Sequence, residues 1–512
     1  MKSLDRAPND KAPRMFLTSP QGVWTITIGV VVGLASFPYW RGVSPWGGCI
    51  AMLMVLVALH MPYASRLVVP FPHIAIVICT LQYGLAPWAA HYIPAQNAEY
   101  HIKEFAQYFA YAGPVTLAIA LGWVLSCVRL HLRERTASGS RINPALVRDL
   151  HLMFWGGILL KVALGSTGLG GLAFFFLLLA NLRFISVMGL MILGAPGWRW
   201  RLALVMFLEI VTSAGSGMFH EFVLWSLGLF AVYAFTRRPA LVMFLGWLAV
   251  IGVGVFLLND AKWQLREAIW GGTEEVVVFG KNIEVTSWNR PVVAGLCLVQ
   301  SGTKAFSGGY SRESMGDMVM RFNQGWIIER ILQHVPEEQP YAHGETVISA
   351  FKAALLPRVF APNKAMAGGR LLMERYAGYT PFEDTSMNLG FAGEMYANFG
   401  YRGGIVGCGI YALILGLLFR WVAVRAQTSP LWWAVAVYVG HWALKAETDI
   451  GTVLNYLVKA AFVVYVVVMC LPALRAELTG RALPARKLSK RVRHAKAMPA
   501  GAEQVPPLTT DH

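Results

Sequence analysis

Long apolar blocks alternate with short polar links along most of the chain, and the blocks are longer than a helix in a water-soluble domain requires. A bilayer core of roughly 30 Å takes about 20 apolar residues per helix. By that length the pattern predicts twelve membrane spans, at 21–38, 43–60, 70–92, 106–128, 149–166, 171–193, 200–215, 218–236, 240–258, 399–419, 430–447 and 451–472. The expected fold is an all-α polytopic membrane protein. It divides into a cytoplasmic N-terminus (1–20), spans one to nine (21–258), a large extracytoplasmic loop (259–398), spans ten to twelve (399–472) and a basic cytoplasmic tail (473–512). Within the loop the period changes. Residues 317–334 place Met318, Phe322, Ile327, Ile328 and Ile331 at helical spacing, and 345–356 repeat the pattern, so both predict amphipathic helices.

Composition agrees with the pattern. Of 512 residues 56% are apolar and only 14% are charged, which excludes a disordered chain, a coiled coil and an ordinary soluble enzyme. The net charge of +16 would suit a nucleic-acid binder, but its distribution does not. Basic residues fill the links between alternate spans: Arg129, Arg133, Arg135, Arg141 and Arg148, then Arg199 and Arg201, Arg237 and Arg238, and Arg420 and Arg425. The positive-inside rule makes these links, and with them both termini, cytoplasmic. The outer loop is nearly neutral, with 13 Lys+Arg against 15 Asp+Glu. No small-residue cleavage site follows the first block, which ends Phe37-Pro38-Tyr39-Trp40-Arg41, so no cleavable signal peptide is expected. Five of the six cysteines lie in or beside apolar blocks and only Cys297 lies in the loop, so no disulfide framework is expected.

Candidate chemistry concentrates in the loop. Arg290, Arg312, Arg321, Arg330, Arg358, Lys364, Arg370 and Arg375 lie on the side of the membrane where positive charge is under-used. Guanidinium forks match phosphate oxygens, although each Arg could instead pair with a nearby acid such as Glu313, Glu329 or Glu374. The sequence has no HExxH, CxxC, GxGxxG or Walker loop and only a lone Glu383-Asp384 pair, so no metal or cofactor is expected. Pro357 and Pro362 would hold Arg358 and Lys364 on a short non-helical segment. Glu394, Asn398 and Arg402 share a face if 390–402 is helical, and Gly403, Gly404 and Gly407 allow close helix packing. Glu209 stands within an apolar block, and Lys161, Arg183, Lys445, Glu447, Asp449 and Lys459 are read as members of internal pairs.

Two stretches carry a resemblance. The first is His343-Gly344-Glu345-Thr346 followed by Leu356-Pro357-Arg358-Val359-Phe360-Ala361-Pro362-Asn363-Lys364. The second is Gly390-Phe391-Ala392-Gly393-Glu394-Met395-Tyr396-Ala397-Asn398-Phe399-Gly400. Together they resemble the Wzy-type O-antigen polymerases, the oligosaccharide repeat unit polymerases, over residues 317–410. The resemblance implies a GT-C-like membrane glycosyltransferase that needs neither metal nor nucleotide. It would polymerise undecaprenyl-pyrophosphate-linked repeat units at the outer face of a bacterial inner membrane. On that expectation Arg321, Arg330, Arg358 and Lys364 bind pyrophosphate, His343 or Glu394 is the base with Glu345 orienting it, and Arg290, Asn323, Tyr396, Asn398 and Arg402 contact the glycan. The expected partners are polyprenyl-pyrophosphate-linked oligosaccharides, membrane lipids and a chain-length regulator protein, with no nucleic acid. Rival readings are an O-antigen ligase acting on the same lipid, a lipid-linked sugar flippase or transporter, and a scaffold for polysaccharide export.

Overall fold

The computed structural model describes residues 20–61, 69–93, 100–128, 130, 143–164, 173–237, 241–270, 275–286, 288–310, 312–355, 369–381 and 387–480. Helices α1 (Pro20–Trp40) and α2 (Gly47–His60) form an antiparallel hairpin. They close at Gly33 and Gly48, where each backbone meets the other and a Cβ would stand 3.0 Å from a carbonyl oxygen. Helices α3 (Phe71–Thr80) and α4 (Ala86–Tyr92) form one apolar rod joined by a π turn at Leu81–Leu85. There follow α5 (Phe105–Cys127), α6 (Pro144–Leu164), α7 (Ala173–Leu193), α8 (Trp198–Ser216), α9 (His220–Arg237) and the long α10 (Leu241–Trp270).

A layer of short elements comes next. Strands β1 (Glu275–Val278) and β2 (Lys281–Glu284) pair antiparallel, with Val278 opposite Lys281 and a tip of Phe279 and Gly280. Five short helices follow: α11 (Arg290–Phe306), α12 (Arg312–Phe322), α13 (Gly325–His334), α14 (Glu345–Leu355) and α15 (Arg370–Ala377). The chain then returns through α16 (Gly390–Arg425), α17 (Leu431–Gly440), α18 (Ile450–Cys470) and the short α19 (Pro472–Thr479).

Helices α5 and α16 make the most extensive helix pair. Small residues allow it: Gly122 lies against the Gly409 carbonyl, Gly416 against Ser126, and Gly404 against the Tyr111 hydroxyl. One large apolar core joins this pair to α7, α13, α17 and α18. A second, smaller core holds the distal half of α10, the hairpin and α11, with Leu265, Val276, Val278, Val293 and Cys297 buried together.

This multi-pass architecture corrects the expected twelve spans. Among the described residues six helices are long and apolar enough to cross a membrane: Gly22–Trp40, Phe71–Tyr92, Phe105–Cys127, Ala173–Leu193, Gly390–Arg425 and Ile450–Cys470. Three further blocks are apolar but short, at Gly47–His60, His220–Ala234 and Leu431–Leu444. Helix α17 loses its α geometry at Gly440 and ends as a 3₁₀ turn, His441–Leu444. Helix α6 carries Arg148, Asp149 and Lys161, and α8 carries Arg199, Arg201 and Glu209. Hydropathy counts apolar residues without registering where a helix stops or which charges it must bury, so it turned several packed helices into spans, whereas the uncharged run 241–258 of α10 keeps an exposed apolar face. The GT-C-like twelve-helix layout is therefore not this chain's architecture. The β1–β2 hairpin likewise departs from an all-α fold.

Several ionisable groups inside the bundle have partners, while Arg183 Nε is buried without one among the described residues. Arg183 is fully buried, donates to Glu209 and gives a second hydrogen bond to the Ala180 carbonyl at 2.6 Å. Lys161 Nζ lies 3.5 Å from the same Glu209 carboxylate. Lys445 pairs with Glu447 at 3.2 Å, and Lys459 Nζ stands 5.0 Å from the Phe174 ring centre. Asp449 caps α18 by accepting from the Thr452 amide at 2.6 Å.

Candidate functional site

The two motif stretches meet in space. The turn Ala342–Thr346 is laid along the first half of α16 by backbone pairing: Ala342 N–H donates to the Ala397 carbonyl at 2.9 Å and His343 N–H to the Asn398 carbonyl at 3.1 Å. Gly344 N–H donates to Asn398 Oδ1 at 2.9 Å. Asn398 Nδ2 donates to Thr346 Oγ1 and to the Glu394 carbonyl, both at 2.7 Å. Thr346 donates onward to Glu394 Oε1 at 2.7 Å, while Glu394 Oε2 accepts from the first amide of α18, Ile450 N–H, at 2.7 Å. Glu394 and Asn398 are almost wholly buried, so this network fastens α14, α16 and α18 together. His343 is held with φ of 46° and its side chain is exposed. Glu345 is also exposed and takes both guanidinium nitrogens of Arg375, each at 3.1 Å. That bidentate contact holds the Arg375 charge above its ordinary range.

The helix through Glu394 breaks at Gly400, whose φ of 67° and ψ of −165° are not helical. Arg402 therefore leaves the face shared by Glu394 and Asn398 and is exposed. This corrects the expected i, i+4, i+8 alignment. Tyr396 is buried and donates to the Val335 carbonyl at 3.2 Å.

A second constellation lies where α10 leaves its apolar run. Lys262 and Arg266, one turn apart on α10, stand within electrostatic reach of Arg321 on α12. Helices α10 and α12 pack on each other, and Arg266 is fixed by its Nε donating to the Gly217 carbonyl at 3.0 Å. Burial first, then the Arg266 and Arg321 charges, push the Lys262 ammonium down to about 7 against a weaker pull from Glu447. Burial and Arg321 bring Arg266 down to about 10. Arg321 is itself lowered by burial, with Tyr100 and Asp317 pulling the other way. Three part-buried cations, with Lys262 lowered by Arg266 and Arg321 and Arg266 lowered by Arg321, favour an anion among them.

Aromatic rings continue from Arg321. Tyr100 meets Trp326 at a tilt of 52° with ring centres 4.8 Å apart, Trp326 meets Tyr379 edge-on at 5.6 Å, and Arg330 lies 5.0 Å over the Tyr379 ring. Arg321 and Arg330 thus belong to one strip. Asn323 is buried and turns its Oδ1 to Gly325 N–H at 2.8 Å, which places it in the α12–α13 corner. Arg290 reaches the Gly215 carbonyl at 3.0 Å, at the end of α8. Of the acids expected to neutralise these arginines, Glu374 pairs with Arg370 at 3.1 Å. Glu329 instead accepts the Lys103 and Glu104 amides at 2.7 and 2.5 Å ahead of α5. Arg358 and Lys364 lie outside the described residues.

The loop joining α17 to α18 connects the two constellations, since Glu447 lies within electrostatic reach of Lys262 and Ile450 N–H donates to Glu394. Lys262 and Arg266 were not among the residues singled out by sequence. Their i, i+4 spacing past the end of an apolar block was the available signal. Comparison of the chain with known protein families, with curated proteins and with solved structures finds no match.

Proposed function

We propose that the protein transfers glycans from a polyprenyl pyrophosphate carrier, and that the transfer polymerises lipid-linked oligosaccharide repeat units on the extracytoplasmic face, with both chain termini in the cytoplasm. The observation that carries this reading is the gathering of Lys262, Arg266 and Arg321 just beyond an apolar helical run. A diphosphate at the lipid surface would occupy that cluster while its polyprenyl tail stays among the acyl chains. The partly exposed Tyr100 and Tyr379, packed on the buried Trp326, and the Arg330 guanidinium over Tyr379 offer ring surface and charge to the sugars.

In this scheme an acceptor hydroxyl attacks the anomeric carbon of the donor glycan. The bond from that carbon to the phosphate oxygen breaks, and polyprenyl pyrophosphate departs with the electron pair. Its developing negative charge is met by Lys262, Arg266 and Arg321. His343, exposed on its left-handed turn, takes the hydroxyl proton. Glu394 has both carboxylate oxygens engaged, so its part is to position the His343 turn. The Pro-Arg…Pro-x-Lys resemblance adds Arg358 and Lys364 to the phosphate-binding set.

The test is reconstitution in nanodiscs with lipid-linked repeat units, together with direct binding of undecaprenyl pyrophosphate and undecaprenol by native mass spectrometry. Lys262→Ala and Arg321→Ala should remove polymer and lower pyrophosphate binding at least tenfold while undecaprenol binding stays. Equal binding of the two lipids by the unmodified protein would overturn the reading.

A further inference from the structure

Helix α11 is apolar on two opposite faces. Val293, Ala294, Cys297 and Ser301 are buried against α10 and α8. On the other side Val292, Leu296, Val299 and Phe306 form an exposed stripe, with Val292 at 65%, Val299 at 57% and Phe306 at 95% exposure. Between Arg290 and Lys304 the helix carries no charged residue. Such a face is costly in water at any length, and its neighbours fix the depth at which it lies.

Three contacts show that α11 runs back down α10. At its start, Arg290 donates to the Gly215 carbonyl, beside Gly217, which accepts from Arg266. Further along, Ser301 donates to Asp260 Oδ2 at 2.7 Å. Beyond its end, Tyr310 donates to the same Asp260 oxygen at 3.0 Å and sets its ring 5.2 Å from Phe256. From Arg266 to Phe256 the descent along α10 is roughly 15 Å at 1.5 Å per residue. Phe256 lies inside the uncharged run 241–258, whose Val250 and Val253 are exposed as membrane-facing residues are. The stripe on α11 is therefore continuous with the apolar surface of α10. The hairpin tip reaches the same level, because Phe279 N–H donates to Gln300 at 2.9 Å. Phe279 holds φ of 49° with its ring exposed, a place where Asn or Gly is the inexpensive choice.

We infer that α11 is a re-entrant helix whose C-terminal half lies in the outer leaflet, with Val299 and Phe306 among the acyl chains and Lys304 extending back toward the headgroups. The loop beginning at 259 thus enters the bilayer again before it forms the α12–α15 layer. This inference is independent of glycan transfer itself and takes from that proposal only which leaflet is the outer one.

The test places the photoreactive amino acid p-benzoylphenylalanine at Val299 or Phe306 of the full chain in phosphatidylglycerol and phosphatidylethanolamine nanodiscs. Gel filtration checks that each variant keeps its fold, and adducts are read by mass spectrometry after illumination. Phospholipid adducts mapped to the acyl chain are expected at both positions, at a yield independent of the protein-to-lipid ratio. Loss of the probe's ketone without a lipid adduct at either position would place the stripe in water and overturn the inference. Protein–protein adducts that rise with the protein-to-lipid ratio would make it a contact between copies and overturn it equally.

Discussion

Thr346, at the start of α14, donates its hydroxyl hydrogen to Glu394 on α16 at 2.7 Å, and both are buried. The same hydroxyl accepts from Asn398. Two motifs separated in sequence are thereby closed into one hydrogen-bonded unit, with the His343 side chain projecting from its edge.

Asn398→Ala should cost about 1–3 kcal/mol, the penalty for leaving a buried partner unsatisfied, because Gly344 N–H loses its acceptor and Thr346 Oγ1 its donor. Thermal unfolding in detergent measures this, and a shift within error would mean that the turn is held by other contacts.

Lys262 ties anion binding to pH. Its folded-state value of about 7 lies below the ordinary lysine value. Between that value and the ordinary one the unfolded chain binds more protons than the folded one, so Lys262 makes stability rise with pH across this window. A bound diphosphate prefers the protonated ammonium, so affinity should fall as pH rises above 7. Calorimetric titration with farnesyl pyrophosphate at pH 6.5, 7.5 and 8.5 reads the slope, and Lys262→Arg should flatten it.

Removing the acid at the centre of the buried triad should be severe. Glu209→Ala leaves the Arg183 guanidinium without its carboxylate in a fully buried position, an effect of about 3–5 kcal/mol. Lys161→Ala removes only the partly exposed outer partner and should cost clearly less. Expression level and unfolding temperature of the two variants give the comparison.

The exposed Glu345–Arg375 pair separates stability from chemistry. A surface ion pair is worth at most about 1 kcal/mol. Glu345→Gln should therefore leave the unfolding temperature nearly unchanged. If Glu345 orients His343 in glycan transfer, polymer output should still fall more than tenfold. Full output would assign the pair to surface packing alone.

What was legible in the sequence follows a physical line. Apolar blocks that cross from end to end, such as 106–128 and 171–193, can be read because length and uniform hydropathy suffice. Blocks such as 200–215 and 430–447 cannot be told from spans by hydropathy, since packing against protein and against lipid both favour apolar side chains. The break at Gly400 depends on a backbone conformation that residue identity permits but does not announce. The meeting of Thr346, Glu394 and Asn398 was foreshadowed only as two motifs, because their contact depends on how α14 docks on α18. Lys262 and Arg266 were lost by ending the ninth block at 258, whereas α10 continues to Trp270.

Glu329 also sets an order of events. The Lys103 and Glu104 amides ahead of α5 find their acceptor on a carboxylate more than two hundred residues later in the chain. Until residue 329 has been synthesised and α13 has docked, the entrance to α5 is unfinished. The amino-terminal helices therefore depend on the late-made layer for the final form of the Lys103–Glu104 turn.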